Sequence, residues 1–145
     1  MVNNVALSNI IMELHVPSFD VARDFYGKLG FSVVWSYPPK DQSGYMVMKR
    51  GESVLAFFCG NKEVYNHTYF KKFPKDTPRG YATELAIYIT DMEIEYYYKK
   101  VTAKLGMECV IEPLTTKPWG SKDFRIVDPF GFYLCFREPS DILKP

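Results

Sequence analysis

Three observations in the sequence predict an α+β fold of two tandem βαβββ modules. Apolar residues alternate with period two in short runs. Two segments switch to helical spacing, each after one such run. Finally, Lys28-Leu29-Gly30-Phe31 recurs as Lys104-Leu105-Gly106-Met107, and Val16 and Ile89 hold matching places ahead of the two helices. An internal repeat of this kind constrains topology more than any single motif. The modules are expected to form one curved, mostly antiparallel sheet with a concave cavity and helices outside. The chain reads as a single domain over 1–145, with module one at about 9–60, a linker at about 61–80 and module two at about 81–138.

In module one, Asn9 to Val16 reads as a strand with Met12, Leu14 and Val16 on one face and Ile11, Glu13 and His15 on the other. Ser18 is a good N-cap because its hydroxyl can accept an unpaired amide of the first turn. Val21, Ala22, Phe25, Tyr26 and Leu29 follow helical spacing, and Gly30 supplies the left-handed stop. Phe31 to Tyr37 is expected as a strand ended by Pro38-Pro39. Tyr45 to Lys49 and Ser53 to Cys59 form a hairpin around Arg50-Gly51-Glu52. The linker mixes Tyr65, His67, Tyr69, Phe70 and Phe73 with Lys71, Lys72 and Lys75, while Pro74 and Pro78 limit any helix in it.

Module two restarts the pattern. Thr83 to Ile89 alternates Leu85, Ile87 and Ile89 against Glu84, Ala86 and Tyr88. Asp91 is the expected N-cap of a helix carrying Ile94, Tyr97, Tyr98, Val101 and Leu105, which Gly106 ends. Met107 to Glu112 follows as a strand. The last hairpin turns at Asp128-Pro129-Phe130-Gly131, where proline pre-sets φ and glycine relieves the exit. Beyond it Phe132, Leu134 and Phe136 share one face, with Tyr133, Cys135 and Arg137 on the other.

Composition excludes several classes. A net charge of +1 leaves no electrostatic footprint for nucleic acid. No run of about 18 apolar residues is present to span a membrane, and the N-terminus lacks signal-peptide blocks. Three widely spaced cysteines without a CxxC pair point to free thiols in a reducing cytoplasm. Aromatic residues reach 17% of the chain, more ring area than a small core requires, so the excess lines a pocket, an interface or aromatic-rich core strands.

The two modules, the helix ending Phe25-Tyr26-(x)2-Leu29-Gly30-Phe31, and Trp119-Gly120-(x)3-Phe124 followed by Asp128-Pro129-x-Gly131 resemble the vicinal oxygen chelate superfamily. That superfamily includes glyoxalase I, bleomycin-resistance proteins, fosfomycin-resistance enzymes and extradiol dioxygenases. The Trp-Gly and Asp-Pro-x-Gly pair is most similar to the bleomycin-resistance branch. The resemblance implies a divalent ion held by His or Glu from the first and last strands of each module. By strand register those positions fall on Ile11, Ala56, Glu84 and Cys135. Isoleucine and alanine donate nothing, and an acid with a thiol is too small a set. The expectation is therefore no metal and no cofactor.

A metal-free concave face works by shape, stacking and a few polar groups. The expected ligand-binding residues are Glu13, His15, Phe58, Glu84, Tyr88, Trp119, Tyr133, Cys135 and Arg137. Trp119 stacks on a planar or cationic ligand or anchors a sheet end. Glu84 meets a ligand or pairs with Arg137, Arg125 or a backbone donor, because an unpaired buried charge is costly. Cys135 reads as a small hydrophobe rather than a nucleophile. The resemblance implies a homodimeric protein that sequesters a small molecule, drugs or toxins included, while the charge and hydropathy above argue against nucleic-acid and membrane partners. The alternatives are a metal-dependent lyase, isomerase or dioxygenase of the same superfamily, and a domain whose work is contact with another protein.

Overall fold

A computed structural model of the chain describes residues 10–40, 43–60 and 62–140. Module one comprises β1 (Met12–Val16), α1 (Phe19–Lys28), β2 (Ser32–Lys40), β3 (Ser43–Arg50) and β4 (Ser53–Cys59). The linker carries a one-turn helix α2 (Lys62–Asn66) and a 3-10 turn at Phe70–Lys72. Module two repeats the order with β5 (Glu84–Tyr88), α3 (Ile94–Leu105), β6 (Val110–Thr116), β7 (Lys122–Val127) and β8 (Tyr133–Arg137). Asn9 and Asn61, at the expected starts of the first strand and of the linker, lie outside the described residues, as does the chain beyond Ser140.

The strands form two four-stranded sheets with the same order, β1-β4-β3-β2 and β5-β8-β7-β6. In each, the first strand runs parallel to the last and the others are antiparallel. The duplication read from the sequence is thus present strand for strand.

Local chemistry explains the element ends. Ser18 accepts the amide of Val21 at 3.2 Å and starts α1. Gly30 and Gly106 both sit at positive φ, +96° and +81°, where other residues are strained. Gly30 has a second constraint, since a Cβ there would come within 3.0 Å of the Arg50 guanidinium. Asp128 closes the last hairpin: its Oδ1 accepts from the amides of Phe130 and Phe132 at 2.9 and 2.8 Å, and Gly131 takes φ +94°. Several expectations move, first that Pro38-Pro39 end the second strand: β2 runs on through them to Lys40. The residue capping α3 is Glu93, and Asp91 instead binds Arg50. The strand after α3 begins at Val110 rather than Met107, because Gly106 at positive φ leads into a turn in which Val110 N–H donates to Met107 O.

One core serves both modules. Leu14, Val16, Met46, Met48, Leu55 and Phe57 come from one sheet, and Leu85, Ile87, Phe124, Ile126, Leu134 and Phe136 from the other. The helices add Ala22, Phe25, Tyr26, Ile94, Tyr97 and Val101. The modules meet through this helix side. Tyr26 Oη on α1 donates to Asp128 Oδ2 of the last hairpin at 2.7 Å, and Tyr97 Oη on α3 donates to Leu29 O at 2.6 Å. Burial raises the Tyr26 phenol well above its ordinary pKa, and the Asp128 charge raises it further. Arg50 spans the same joint, pairing with Asp91 at 3.0 Å and lying over the Tyr97 ring at 4.7 Å. The linker is fastened where Gly80 packs on the Gly131 backbone and Arg79 donates to the carbonyls of His15 and Gly60 at 3.1 and 2.9 Å.

Candidate functional site

Each sheet turns its apolar face to the core, so period two leaves the other face as the candidate surface for a site. In module one the register aligns Tyr37, Tyr45, Phe58 and His15 in one row across four strands. Tyr45 meets Phe58 edge-on at 4.7 Å between centroids, and Phe58 stacks on His15 at 5.3 Å. Phe70 of the linker extends the row, edge-on to His15 at 6.2 Å. The next row is Trp35, Val47, Ala56 and Glu13. Trp35 lies 6.0 Å from Tyr45, and Tyr45 Oη donates to Glu13 Oε1 at 2.7 Å. Burial, then the Glu13 hydrogen bond and charge, push the Tyr45 phenol up to about 12. Between Trp35 and Glu13 stand only the small side chains of Val47 and Ala56, the latter buried beneath its neighbours, so rings dominate this face, here called the trough.

The same face of module two is ionic. Its central row is Ala86, Cys135, Arg125 and Glu112. Arg125 donates to Glu84 at 2.7 Å, Glu112 at 2.7 Å and Asp123 at 2.9 Å. Lys117 adds contacts to Glu112 at 3.0 Å and Asp123 at 3.4 Å. Asp123 is 2% exposed, which is tolerable only because it is paired. The Glu112 carboxyl is held below its ordinary range by Lys117 and Arg125. Burial raises the Cys135 thiol despite Arg137, whose Nη2 lies 3.3 Å from the sulfur. Arg137 also sits 5.9 Å from the Tyr88 ring centroid, and its buried Nε has no acceptor among the described residues.

The expected site residues therefore fall into two separate sets. Glu13, His15 and Phe58 belong to the trough; Glu84, Tyr88, Tyr133, Cys135 and Arg137 belong to the ionic face. Glu84 takes the Arg125 partner among those expected for it. Trp119 stands apart near the tip of the β6–β7 hairpin, 64% exposed, with its indole N–H donating to Ser121 Oγ at 2.8 Å. Trp35 and Tyr45 are trough residues that alternation missed. An irregularity between Val33 and Trp35 breaks period two in β2, so Trp35 changes face. Tyr45 was findable, since it precedes Val47 at even spacing. The Arg125 network was equally legible from Asp123, Arg125 and Val127 alternating with Phe124 and Ile126.

The superfamily's ion positions do not fit an ion here. Ile11 and Ala56 bring no donor atom, Glu84 is held by Arg125, and burial raises the Cys135 thiol, which disfavours the thiolate a metal needs. Among the described residues, no group of three or more His, Cys, Asp or Glu side chains is arranged to hold a metal. Among the described residues, no helix is long and apolar enough to cross a membrane.

Residues 9–136 match the family model described as the Glyoxalase/Bleomycin resistance protein/Dioxygenase superfamily. The chain belongs to that superfamily. No curated protein sequence matches it significantly. Among solved superfamily-like structures, TioX from Micromonospora sp. ML1 is 16% identical with a TM-score of 0.64, covering 94% of this chain and 100% of TioX. A bleomycin-binding protein complexed with bleomycin is 19% identical with a TM-score of 0.61, covering 92% of this chain and 100% of that one. A bleomycin resistance determinant encoded on transposon Tn5 is 18% identical with a TM-score of 0.58, covering 92% and 99%. At these identities the likeness is one of fold, and superfamily members share a frame while differing in chemistry.

Proposed function

We propose that this superfamily member binds and sequesters a small planar aromatic molecule in the module-one trough, as a homodimer and without a catalytic metal. The observation that carries this reading is the run of rings from Trp35 through Tyr45 and Phe58 to His15 and Phe70. Flat rings in edge and stacked contact offer a ligand faces to stack on, each pair adding about 0.5–1.5 kcal/mol beyond burial. Glu13 and the Tyr45 hydroxyl give one polar anchor at the trough edge. The donor set at the superfamily's ion positions supports binding over metal-assisted chemistry. That a fold relative binds bleomycin supports a small-molecule ligand in general. Bleomycin itself is a poor fit, because the trough offers Glu13 alone to a bulky cation and the neighbouring linker is basic.

The open trough also supports a second copy. Trp35 and Tyr37 are 55% and 56% exposed, and Val33 and Val34 beside them on the edge strand β2 are exposed too. A strand edge with this much apolar surface is stabilised by being covered. A partner laid over the trough would turn it into a slot closed on both sides. The free thiols of Cys59, Cys109 and Cys135 suit a reducing cytoplasm.

The test is a tryptophan-fluorescence titration of the purified protein with a panel of flat aromatic compounds, neutral and cationic, alongside light scattering for mass. Quenching that saturates at one ligand per chain, lost in Trp35→Ala and retained in Trp119→Ala, is the expected result. Stoichiometric zinc, nickel, manganese or iron retained through desalting would overturn the metal-free reading. A monomer that quenches with no member of the panel would overturn the binding reading.

A further inference from the structure

The geometry points to a second binding site, for a small molecule bearing two or more phosphate groups, in the basic cleft on the helix side of the module joint. The cleft has a volume of about 400 Å3 and lies where the end of α1, the β3–β4 turn and α3 converge. Its charged lining is Lys28, Lys49, Arg50, Lys100 and Lys104 against Asp91. That is a surplus of four positive charges in one concavity, whereas the whole chain carries +1. Positive charge is therefore gathered here rather than spread, and a concave low-dielectric wall strengthens its field.

Structural duties account for only part of this charge. Arg50 is committed to Asp91 at 3.0 Å and to the Tyr97 ring. Lys28 pairs with Asp24 at 2.9 Å and, like Lys104, sits in a helix's last turn, where a cation offsets the carbonyl end of the dipole. Lys49 lies on β3 and Lys100 in the middle of α3, and neither has that role. Among the described residues, Lys49, Lys100 and Lys104 have no carboxylate within ion-pair distance. Lys100 Nζ lies 5.4 Å from the Tyr96 ring centroid, a contact that leaves its charge uncompensated, so three lysines from two elements line the cleft with net positive charge that a multivalent anion would offset.

The lining also specifies the ligand's character. Lysines act as point charges toward phosphate, whereas the one guanidinium already donates from Nη2 to both Asp91 oxygens. Tyr97 is 3% exposed beneath Arg50, so the cleft has no open ring on which a nucleobase could stack. It reads charge and not an aromatic group, unlike the trough. Gly51 in its lining leaves backbone uncovered for close approach.

Calorimetric titration at low salt tests this with inorganic diphosphate, with orthophosphate for comparison. The expected result is one diphosphate per chain, bound at least about tenfold tighter than orthophosphate. The Lys49→Gln/Lys100→Gln/Lys104→Gln variant should bind at least about tenfold more weakly. A control variant, Lys71→Gln/Lys72→Gln/Lys75→Gln, alters the other basic segment and should bind as the parent does. If the cleft variant is poorly folded, Lys49→Gln alone and the amide shifts of Gly30 and Gly51 on adding diphosphate give the same answer. The inference is overturned by no diphosphate binding at low salt or equal affinity for both anions. It is also overturned by undiminished binding in the cleft variant or loss of binding in the linker variant.

Discussion

Replacing Tyr26 with phenylalanine removes one hydroxyl and tests the joint between the modules. That hydroxyl donates to Asp128 Oδ2 at 2.7 Å with both side chains buried, while the other carboxylate oxygen is held by the amides of Phe130 and Phe132. A hydrogen bond to a charged group contributes about 1.5–3 kcal/mol, and two backbone donors remain, so the loss near neutral pH should be about 2 kcal/mol. The pH dependence fixes the sign. Burial raises the Asp128 carboxyl above its ordinary range, and Tyr26 with the backbone amides opposes that rise. The native state therefore holds the Asp128 proton more tightly than the unfolded chain does. Its contribution to stability is greatest in acid and is lost as pH rises through the raised native value. Without the Tyr26 donor the native value climbs further, so the variant falls away from the parent as pH increases. Protonated Asp128 leaves only a neutral hydrogen bond to lose, worth about 1 kcal/mol. Urea midpoints across the acid-to-neutral range measure both numbers. A neutral-pH difference below about 0.5 kcal/mol, or one that shrinks as pH rises, would refute the reasoning.

Three further outcomes are expected. Arg125→Met leaves Glu112 and buried Asp123 to Lys117 and takes the guanidinium from Glu84, and should destabilise by about 3 kcal/mol in urea, with part recovered by adding Asp123→Asn. Gly80→Ala places a Cβ 2.6 Å from Gly131 O and 2.7 Å from Phe132 Cα, so the linker must lift off the last hairpin; a loss of about 1–3 kcal/mol by thermal melting is expected. Glu13→Gln should lower the Tyr45 phenol from about 12 but leave it above the ordinary value, because burial is the larger cause; ring-carbon NMR of assigned Tyr45 follows this.

The modular repeat was legible because its signals are local. Ser18 and the two glycines after Leu29 and Leu105 mark ends by backbone chemistry alone, and Asp128-Pro129-Phe130-Gly131 carries its turn within four residues. Long-range choices were not legible. Nothing near Asp91 in the chain announces that Arg50 will claim it, which leaves Glu93 as the cap. Trp35 was hidden because alternation fails at a single irregularity in β2. The division of the site residues into a trough and an ionic face is also nonlocal. Alternation shows that Phe58 and Cys135 face away from the core, but not whether those two surfaces meet. The pairing of strands into two sheets and the contacts of Tyr26, Tyr97 and Arg50 on the helix side set how the two halves are joined.

The separation of the two sheets has an evolutionary reading. Ring contacts on one surface and ion pairs on the other close within their own half, so substitutions at Trp35 or Ala56 leave the Arg125 cluster undisturbed, and the converse holds. A lineage can therefore retune what one surface recognises while the joint through Tyr26 and Asp128 keeps the body of the molecule unchanged.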